Sequence, residues 1–562
     1  MKLIHPIFYI IPFVFFAQNP YPQDYFGNPL KIPIILSGTF AELRSNHFHS
    51  GLDIKTQGRT GLHVVASANG FVSRIKISHF GYGKALYITH PNGYVTVYAH
   101  LQKFAPEIEA YVKNHQYEEE SYEIELFPKA EELLITKGDL IAYSGNTGGS
   151  AGPHLHFEIR NKEEHPINPM LFGIDVKDSS YPLIRSIFVY PLSDDAVINN
   201  SNEKQELKLI PLKNGDYAVS NIEAIGNIGF GIETIDRQDF ASNSNGVYNI
   251  QTIFNGNRNF EIDFSKFSFD ETRNLNQLID YQHYIDSRDR IQKLFIKNNE
   301  LSLYKGVENN GFLKIKDSSY SVYKIRVSDF KNNEAWVTIN IKGSKQKLLN
   351  EKVIKTTPYY INSEQTTNLK KGNVSVHFKP NTFYENFYLD FDVKNDTLTL
   401  HENTIPTKKS FSLQFDVSQY NKPDQDKLFI ARLIGDKKNI PIYTSTKRET
   451  NKLIAYTKLL GTYTLATDTI APKIKASNFK NKQWLSDFRF LKLNIQDKES
   501  GIKSYHASIN DEWILMEYEY KKDLLTFDFN DLDQKETNNK LKVIVTDNVG
   551  NSSTFEAVFY RK

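Results

Sequence analysis

Residues 153–160 read Pro153-His154-Leu155-His156-Phe157-Glu158-Ile159-Arg160, the two-residue alternation of a strand. Successive strand side chains point to opposite faces, so His154, His156, Glu158 and Arg160 share one face and Leu155, Phe157 and Ile159 the other. Such a segment has to sit in a sheet with its apolar side buried and a polar side free for chemistry. Two histidines two apart on a strand lie roughly 6 to 7 Å apart at the backbone, close enough for one to bind a metal while the other reaches a water at that metal. The same parity in residues 94–100 is expected to point Val95, Val97 and Ala99 inward and to present His100 with Thr96 and Tyr98 from a polar face. Ten of the fifteen histidines lie between His47 and His165, and only four follow. Histidines gather where protons and metals are handled, which marks residues near 40–165 as the working domain.

A chain of 562 residues is too long for one core. Thirty-two Tyr and thirty-eight Phe beside three Met favour sheets. Within the working domain, strand-like runs occupy 70–78, 85–90 and 94–100, with Pro91-Asn92-Gly93 as the turn of a hairpin. Residues 102–137 interrupt this rhythm with a helical piece led by Pro106, the acidic run Glu118-Glu119-Glu120 and an alternating strand at Tyr122, Ile124 and Leu126. Acidic runs are more often a solvated face than a groove wall. Beyond Tyr181 short strands alternate with Asn, Asp, Gly and Lys clusters, as in β-sandwiches. A weak repeat relates Lys324-Ile325-Arg326-Val327-Ser328-Asp329 with Asn332-Asn333 to Lys542-Val543-Ile544-Val545-Thr546-Asp547 with Gly550-Asn551. Each copy follows a strand ending near Asp236 or Asp497 and a turn at Asn245-Gly246 or Ser500-Gly501, so two diverged immunoglobulin-like modules are expected, the first enlarged by an insertion.

Met1-Lys2 followed by an apolar run that ends in Phe15-Phe16-Ala17 reads as an export signal, too short to span a bilayer comfortably. No later segment is apolar enough to cross a membrane. Cysteine is absent, which excludes disulfides, thiolate ligands and a cysteine nucleophile. Any metal must be held by His and carboxylates. A formal net charge of +2, with no basic arm and no RNP-like or zinc-finger signature, gives no reason to expect nucleic acid.

His49 and Asp53 are four apart across Ser50-Gly51. Fully extended, that spacing separates their backbones by roughly 13 Å, too far for ligands that must lie about 2.0 to 2.2 Å from a zinc ion. A helical turn through Gly51 costs about 1 kcal/mol, so a bend or bulge at Ser50-Gly51 is expected. His49, Asp53 and one of the strand histidines then make three N and O ligands with a position left open, the pattern of a catalytic zinc site. The glycine-rich stretch 145–152 lacks the Gly-Lys-Ser/Thr ending of a phosphate-binding loop and reads as a flexible approach to the last strand. There is no His-Glu-x-x-His helix and no Gly-x-Ser-x-Gly elbow.

His49-Ser50-Gly51-Leu52-Asp53, Gly81-Tyr82-Gly83, Tyr98-Ala99-His100-Leu101 and Gly145-Asn146-Thr147-Gly148 leading to His154-Leu155-His156-Phe157-Glu158 together resemble the lysostaphin/LytM-type zinc endopeptidases, metallopeptidase family twenty-three. The resemblance covers roughly residues 35–170. It implies that His49, Asp53 and His156 ligate one Zn2+, that His100 and His154 are the unliganded catalytic pair, and that the substrate is the peptide part of peptidoglycan. The 102–137 insertion and His63, where the family more often has a small or proline residue, depart from the pattern. His63, His79, His90 and His115 are expected to be structural, and His47 a bystander.

The expected organisation is mainly β: a signal peptide at 1–17, an antiparallel zinc metallopeptidase domain with a grooved site at 18–175, an immunoglobulin-like sandwich with an insertion at 176–345, a β-rich domain at 346–466 and a second immunoglobulin-like sandwich at 467–562. The protein is expected to be exported to the periplasm, cell envelope or exterior, with tail domains that bind cell wall or another envelope protein. The alternatives are a catalytically silent wall-binding regulator of another hydrolase and an adhesin built on the tail.

Overall fold

The computed structural model describes residues 19–349, 353, 355–435, 439–532 and 536–562. The export signal read at 1–17 lies outside them. The N-terminal unit contains, in order, β1 (Leu36–Gly38), β2 (Leu52–Lys55), β3 (His63–Val65), β4 (Gly70–Ile77), β5 (Lys84–Thr89), β6 (Val95–Ala99), β7 (Leu101–Phe104), α1 (Pro106–Glu118), β8 (Ile124–Leu126), β9 (Leu134–Ile135), β10 (Leu140–Ser144), β11 (His154–Arg160) and β12 (Pro166–Ile167). An antiparallel sheet runs β1-β2-β11-β6-β5-β4-β8, with β12 beside β11 and β9 beside β4, and a small sheet runs β3-β10-β7. The histidine-bearing strand β11 is therefore central, flanked by β2 with His156 opposite Asp53 and by β6 with His156 opposite Ala99.

Local chemistry explains the insertion. Pro106 opens α1, where its missing N–H costs nothing. Ile108, Val112 and Gln116 recur every four residues and form its buried stripe. Glu118, Glu119 and Glu120 are exposed at its end, a solvated face. The hairpin between β5 and β6 turns at Gly93 with φ of 84°.

The tail is mostly β, with short α-helices only at Leu275–Leu278, Tyr281–Ser287 and Lys422–Gln425 among the described residues. Residues 183–343 build a 13-stranded sheet system, two five-stranded sheets and a two-stranded one lie within 359–467, and a four-stranded and a five-stranded sheet lie within 473–560. The two repeated segments occupy equivalent hairpins, Tyr320–Ser328 with Glu334–Gly343 and Asn538–Asp547 with Ser552–Tyr560. Just past the first strand, Asp329 accepts the Asn333 N–H at 2.9 Å and its side-chain amide at 2.7 Å. Asp547 accepts the same two donors from Asn551 at 2.8 and 2.7 Å.

One hydrophobic core runs from Phe26 to Ile341, joining the N-terminal unit to the first tail module, whereas residues 361–463 and 479–559 have cores of their own. The last module folds back onto the N-terminal unit. Lys113 of α1 pairs with Asp531 at 2.6 Å, Tyr117 meets Trp513 edge-on, and Lys84 pairs with Glu517 at 2.8 Å. The Lys84 side chain is only 4% exposed against 45% for Glu517, so the lysine depends on this partner more than the glutamate does. Glu517→Ala should cost about 1 to 3 kcal/mol in denaturant unfolding. Adding Lys84→Met should cost less than the two single changes summed.

Candidate metal centre

The bend expected at Ser50-Gly51 is present. Residues 49–51 lie outside regular structure and β2 begins at Leu52, while the register between β1 and β2 shifts between Leu36 and Gly38. Gly51 allows this because a Cβ there would lie 2.3 Å from the Phe157 carbonyl oxygen and 2.9 Å from Glu158 Cγ. His49 is thereby turned back over Asp53. His49 Nε2 and His156 Nδ1 stand 3.0 and 2.9 Å from Asp53 Oδ1 and 3.1 Å from each other. All three residues are buried. His154 joins them, its Nε2 3.3 Å from the same oxygen. Asp53 Oδ2 faces the other way and accepts a hydrogen bond from Arg44 at 3.1 Å.

Each ring has its tautomer set from behind. A carbonyl only accepts, so His49 Nδ1–H donates to Thr39 O at 2.7 Å, His100 Nδ1–H to Thr147 O at 2.9 Å and His154 Nδ1–H to Gly152 O at 2.9 Å. His156 is reversed: its Nε2–H faces Glu158 Oε1 at 2.8 Å, which leaves Nδ1 toward Asp53. Two imidazole lone pairs and a carboxylate oxygen thus converge on one point. Tetrahedral zinc with bonds of about 2.0 to 2.1 Å holds its ligand atoms about 3.3 Å apart, within a few tenths of the spacing found. Without a cation the point must hold a proton. Burial pushes His156 down, but hydrogen bonds to Asp53 and Glu158 raise it to about 9. Burial likewise pushes Asp53 up, and the neighbouring His49, His154 and His156 hold it well below the usual carboxylate range. A metal ion exchanges with such a proton, so the donor set fits zinc.

His100 reaches the site by a route that strand parity does not give. Thr96 and Tyr98 are buried, Tyr98 in the main core, while Val95, Val97 and Ala99 lie under the polar face of β11. Continued parity would point His100 away from the histidines. Its φ of 58° breaks the strand between β6 and β7, a conformation that costs a side-chain-bearing residue free energy and gathers at functional sites. The ring lands 4.7 Å from that of His154. Burial, then the neighbouring His156 and His154, push His100 down to about 3, so it is neutral at neutral pH.

The 145–152 stretch, expected to be a flexible approach, is packed backbone to backbone against residues 81–83. A Cβ on Gly148 would sit 2.3 Å from Gly83 N, and one on Gly83 2.5 Å from Gly148 N. This contact places the Thr147 carbonyl that orients His100. The last tail module closes it from outside: Lys521 Nζ donates to Asn146 O at 2.5 Å and Ser150 O at 3.0 Å, and Tyr520 OH to Gly148 O at 3.4 Å.

Four supporting residues had no role assigned from sequence. Glu158 and Arg160 were visible only as members of the polar face. Glu158 is fully buried and takes hydrogen bonds from His156, Ser50 Oγ at 2.7 Å, Arg160 Nε at 2.5 Å and Tyr82. Thr39 and Thr147 act through backbone carbonyls, which leave no signature in side-chain identity. Of the remaining histidines, His63 is exposed against Tyr143, His90 is buried between Asn69 O and Thr96 Oγ1, His79 stacks on Tyr122, His115 caps back onto Tyr111 O and His47 is exposed. None of these five enters the cluster.

Gly51→Ala should push β2 away from β11. The expected loss is about 1 to 3 kcal/mol in denaturant unfolding, together with lower metal content in the purified protein.

Residues 47–117 and 127–169 match Peptidase family M23, and residues 358–468 match a Zu5-like domain. The DD-carboxypeptidase/endopeptidase Mpg of Neisseria meningitidis is 34% identical over 128 residues, 23% of this chain and 23% of the relative. Peptidoglycan DD-endopeptidase ShyA of Vibrio cholerae is 30% identical over 131 residues, 23% of this chain and 24% of its own. The chain therefore spans about a quarter of the length of the curated relatives it matches. A zinc-containing peptidase of known structure from Vibrio cholerae is 26% identical, with a TM-score of 0.20 over 27% of this chain and 39% of its own.

Proposed function

We propose that this chain, whose residues 47–117 and 127–169 match Peptidase family M23, is a zinc-dependent endopeptidase that hydrolyses peptide bonds in peptidoglycan stem peptides or cross-links. The observation that carries the reading is the convergence of His49 Nε2, Asp53 Oδ1 and His156 Nδ1 on one point, with two further imidazoles beside it. The names of the relatives, which are peptidoglycan DD-endopeptidases and a DD-carboxypeptidase/endopeptidase, support the substrate class. They also support an exported, envelope location. Among the described residues no helix is long and apolar enough to cross a membrane.

His49, Asp53 and His156 would hold the zinc. Bound there, zinc supplies Lewis-acid polarisation of a carbonyl and acidification of a water. The rest of the chemistry belongs to the chain. His100 and His154 each have Nδ1–H tied to a carbonyl, so each presents an Nε2 lone pair that can accept the proton of an attacking water. The imidazolium so formed returns the proton to the leaving amine. His154 lies on the accessible side of the cluster, at 14% side-chain exposure against 3% for His156, with His100 buried beside it. A substrate approaches past them, while Glu158 and Thr39 hold the ligands from behind.

Mass analysis of muropeptides digested by full-length zinc-loaded protein tests the reading. His154→Ala should keep one zinc per chain and lose about 10²- to 10⁴-fold in activity, whereas Asp53→Ala should lose the zinc itself. Glu158→Gln, acting through the orientation of His156 and the bend at Ser50, should weaken zinc binding about 10- to 100-fold. A zinc-loaded protein that releases nothing from muropeptides would sink the proposal.

A further inference from the structure

A second carboxylate cluster lies where the N-terminal unit meets the first tail module. Asp178 belongs to the connecting segment, Asp236 directly follows the long strand Ile222–Ile235, and Asp329 directly follows the strand Tyr320–Ser328. Each brings one carboxylate oxygen to within 4.8 Å of the other two. Asp236 is 4% exposed and Asp329 2%. Among the described residues Asp236 Oδ1 is buried without a hydrogen-bond partner, which leaves a buried acceptor carrying its full desolvation penalty. The nearest ammonium, Lys331, gives its Nζ to Asp175 Oδ1 at 2.9 Å. Asp178 and Asp236 line a cavity shared with Tyr248, Asn245 and Thr39.

The repeated module supplies an internal comparison. Its equivalent trio, Asp468, Asp497 and Asp547, is equally close, yet protein donors reach every member. Ser500 gives Asp468 Oδ2 its hydroxyl at 2.6 Å and its N–H at 3.2 Å. Gly501 N–H reaches Asp497 Oδ1 at 2.7 Å, and Asp547 receives Val549 and Asn551. In the first module the turn after Asp236 is longer, closing at Asn245, and no donor takes the place of Ser500. Ser180 N–H reaches Asp178 Oδ1 at 3.0 Å and Asn333 meets both oxygens of Asp329, so the two copies differ at the middle carboxylate: Asp497 has a donor, and Asp236 Oδ1 has none among the described residues.

We propose that Asp178, Asp236 and Asp329 hold a divalent cation of the calcium class. Three hard oxygen donors with no imidazole or thiolate select calcium over zinc. Burial, then the facing Asp178 and Asp329, push the Asp236 carboxyl up to about 8, the state in which a proton stands where the cation belongs. The cation ties the connecting segment to the ends of two sandwich strands. It also borders the metal centre, because the same turn holds Thr39 through Gly246 N–H at 3.0 Å, and Thr39 O orients His49.

The test uses full-length, zinc-loaded protein, calcium, and terbium(III) luminescence excited through tyrosine, with Tyr248 in the cavity wall. Saturating calcium should raise the wild-type Tm by about 5 °C and displace terbium at one site per chain. Asp236→Asn should abolish the calcium shift and weaken terbium binding at least tenfold, while its calcium-free Tm stays close to the wild-type value because the amide replaces a carboxyl that holds a proton when no cation is bound. Asp178→Asn, at a half-exposed position, repeats the test should the buried variant fail to fold. Asp497→Asn, in the copy whose middle carboxylate already has a donor, should leave the calcium response unchanged. No calcium shift in the wild type, an equal shift in wild type and both cluster variants, or a response lost only with Asp497→Asn, would each overturn the proposal.

Discussion

Glu158 is a carboxylate with no exposed surface at the centre of the largest sheet of the N-terminal unit, and the geometry of the metal centre depends on how its charge is met. An isolated buried carboxylate costs several kcal/mol, so the fold can keep it only with close partners. Burial pushes it up, but Arg160, then His156, more than offset that and hold it below the usual carboxylate range. Ser50 and Tyr82 fill its remaining acceptor positions. Because Glu158 takes the Nε2–H of His156, the Nδ1 lone pair has one direction left, toward Asp53. Because it takes Ser50 Oγ, the bend that turns His49 back is pinned to the same group. One charge therefore sets both the tautomer of one proposed ligand and the path of the chain leading to another.

The support extends beyond the unit that carries the site. Phe40 and Phe48, on either side of the bend, pack on Phe267 of the first tail module, and Phe48 N–H donates to Thr272 Oγ1 at 2.8 Å. The Arg160 guanidinium lies over the Phe269 ring. Thr39, which orients His49, is itself held by Gly246. A continuous core from Phe26 to Ile341 is what these contacts look like in terms of packing. The first tail module thus belongs to the scaffold of the metal centre, and a cut near residue 176 would remove part of what holds His49 in place.

Much of this was legible in the sequence, and the parts that were not share a cause. The alternation in β11 gave the polar face as found, since strand parity is local. The four-residue spacing of His49 and Asp53 demanded a bend, and Gly51 supplies one for a steric reason that the sequence only hinted at. Pro106 marked the start of α1, and the repeated Asp-x-x-x-Asn ends of the two hairpins share their hydrogen bonding. His100 was placed near the site by the resemblance of Tyr98-Ala99-His100-Leu101, while the parity reading of residues 94–100 failed because Thr96 and Tyr98 take the core side, and His100 reaches the histidines only where its left-handed backbone breaks the alternation. The rigidity of residues 145–152 was hidden because it comes from a backbone contact with residues 81–83, sixty residues earlier. The return of the last module onto α1 and Lys84 depends on pairs 396 to 433 residues apart, for which no local pattern exists.

That return changes what the insertion and the glycine loops do. Residues 102–137 do not stand free as a wall: Lys113 and Tyr117 on α1 carry the last module. In exchange that module lays Tyr520 and Lys521 across residues 146–150, the loop whose Thr147 carbonyl holds His100 and whose far end leads into His154. The ammonium of Lys521 is shared between two carbonyls of this loop, so its position is tied to the loop's conformation rather than to a single contact. Residues from the two ends of the chain thereby bound the same side of the site, and the orientation of both unliganded imidazoles rests on a segment clamped between them. A β-rich tail of nearly 400 residues is in this sense part of how a short histidine-bearing strand keeps its geometry.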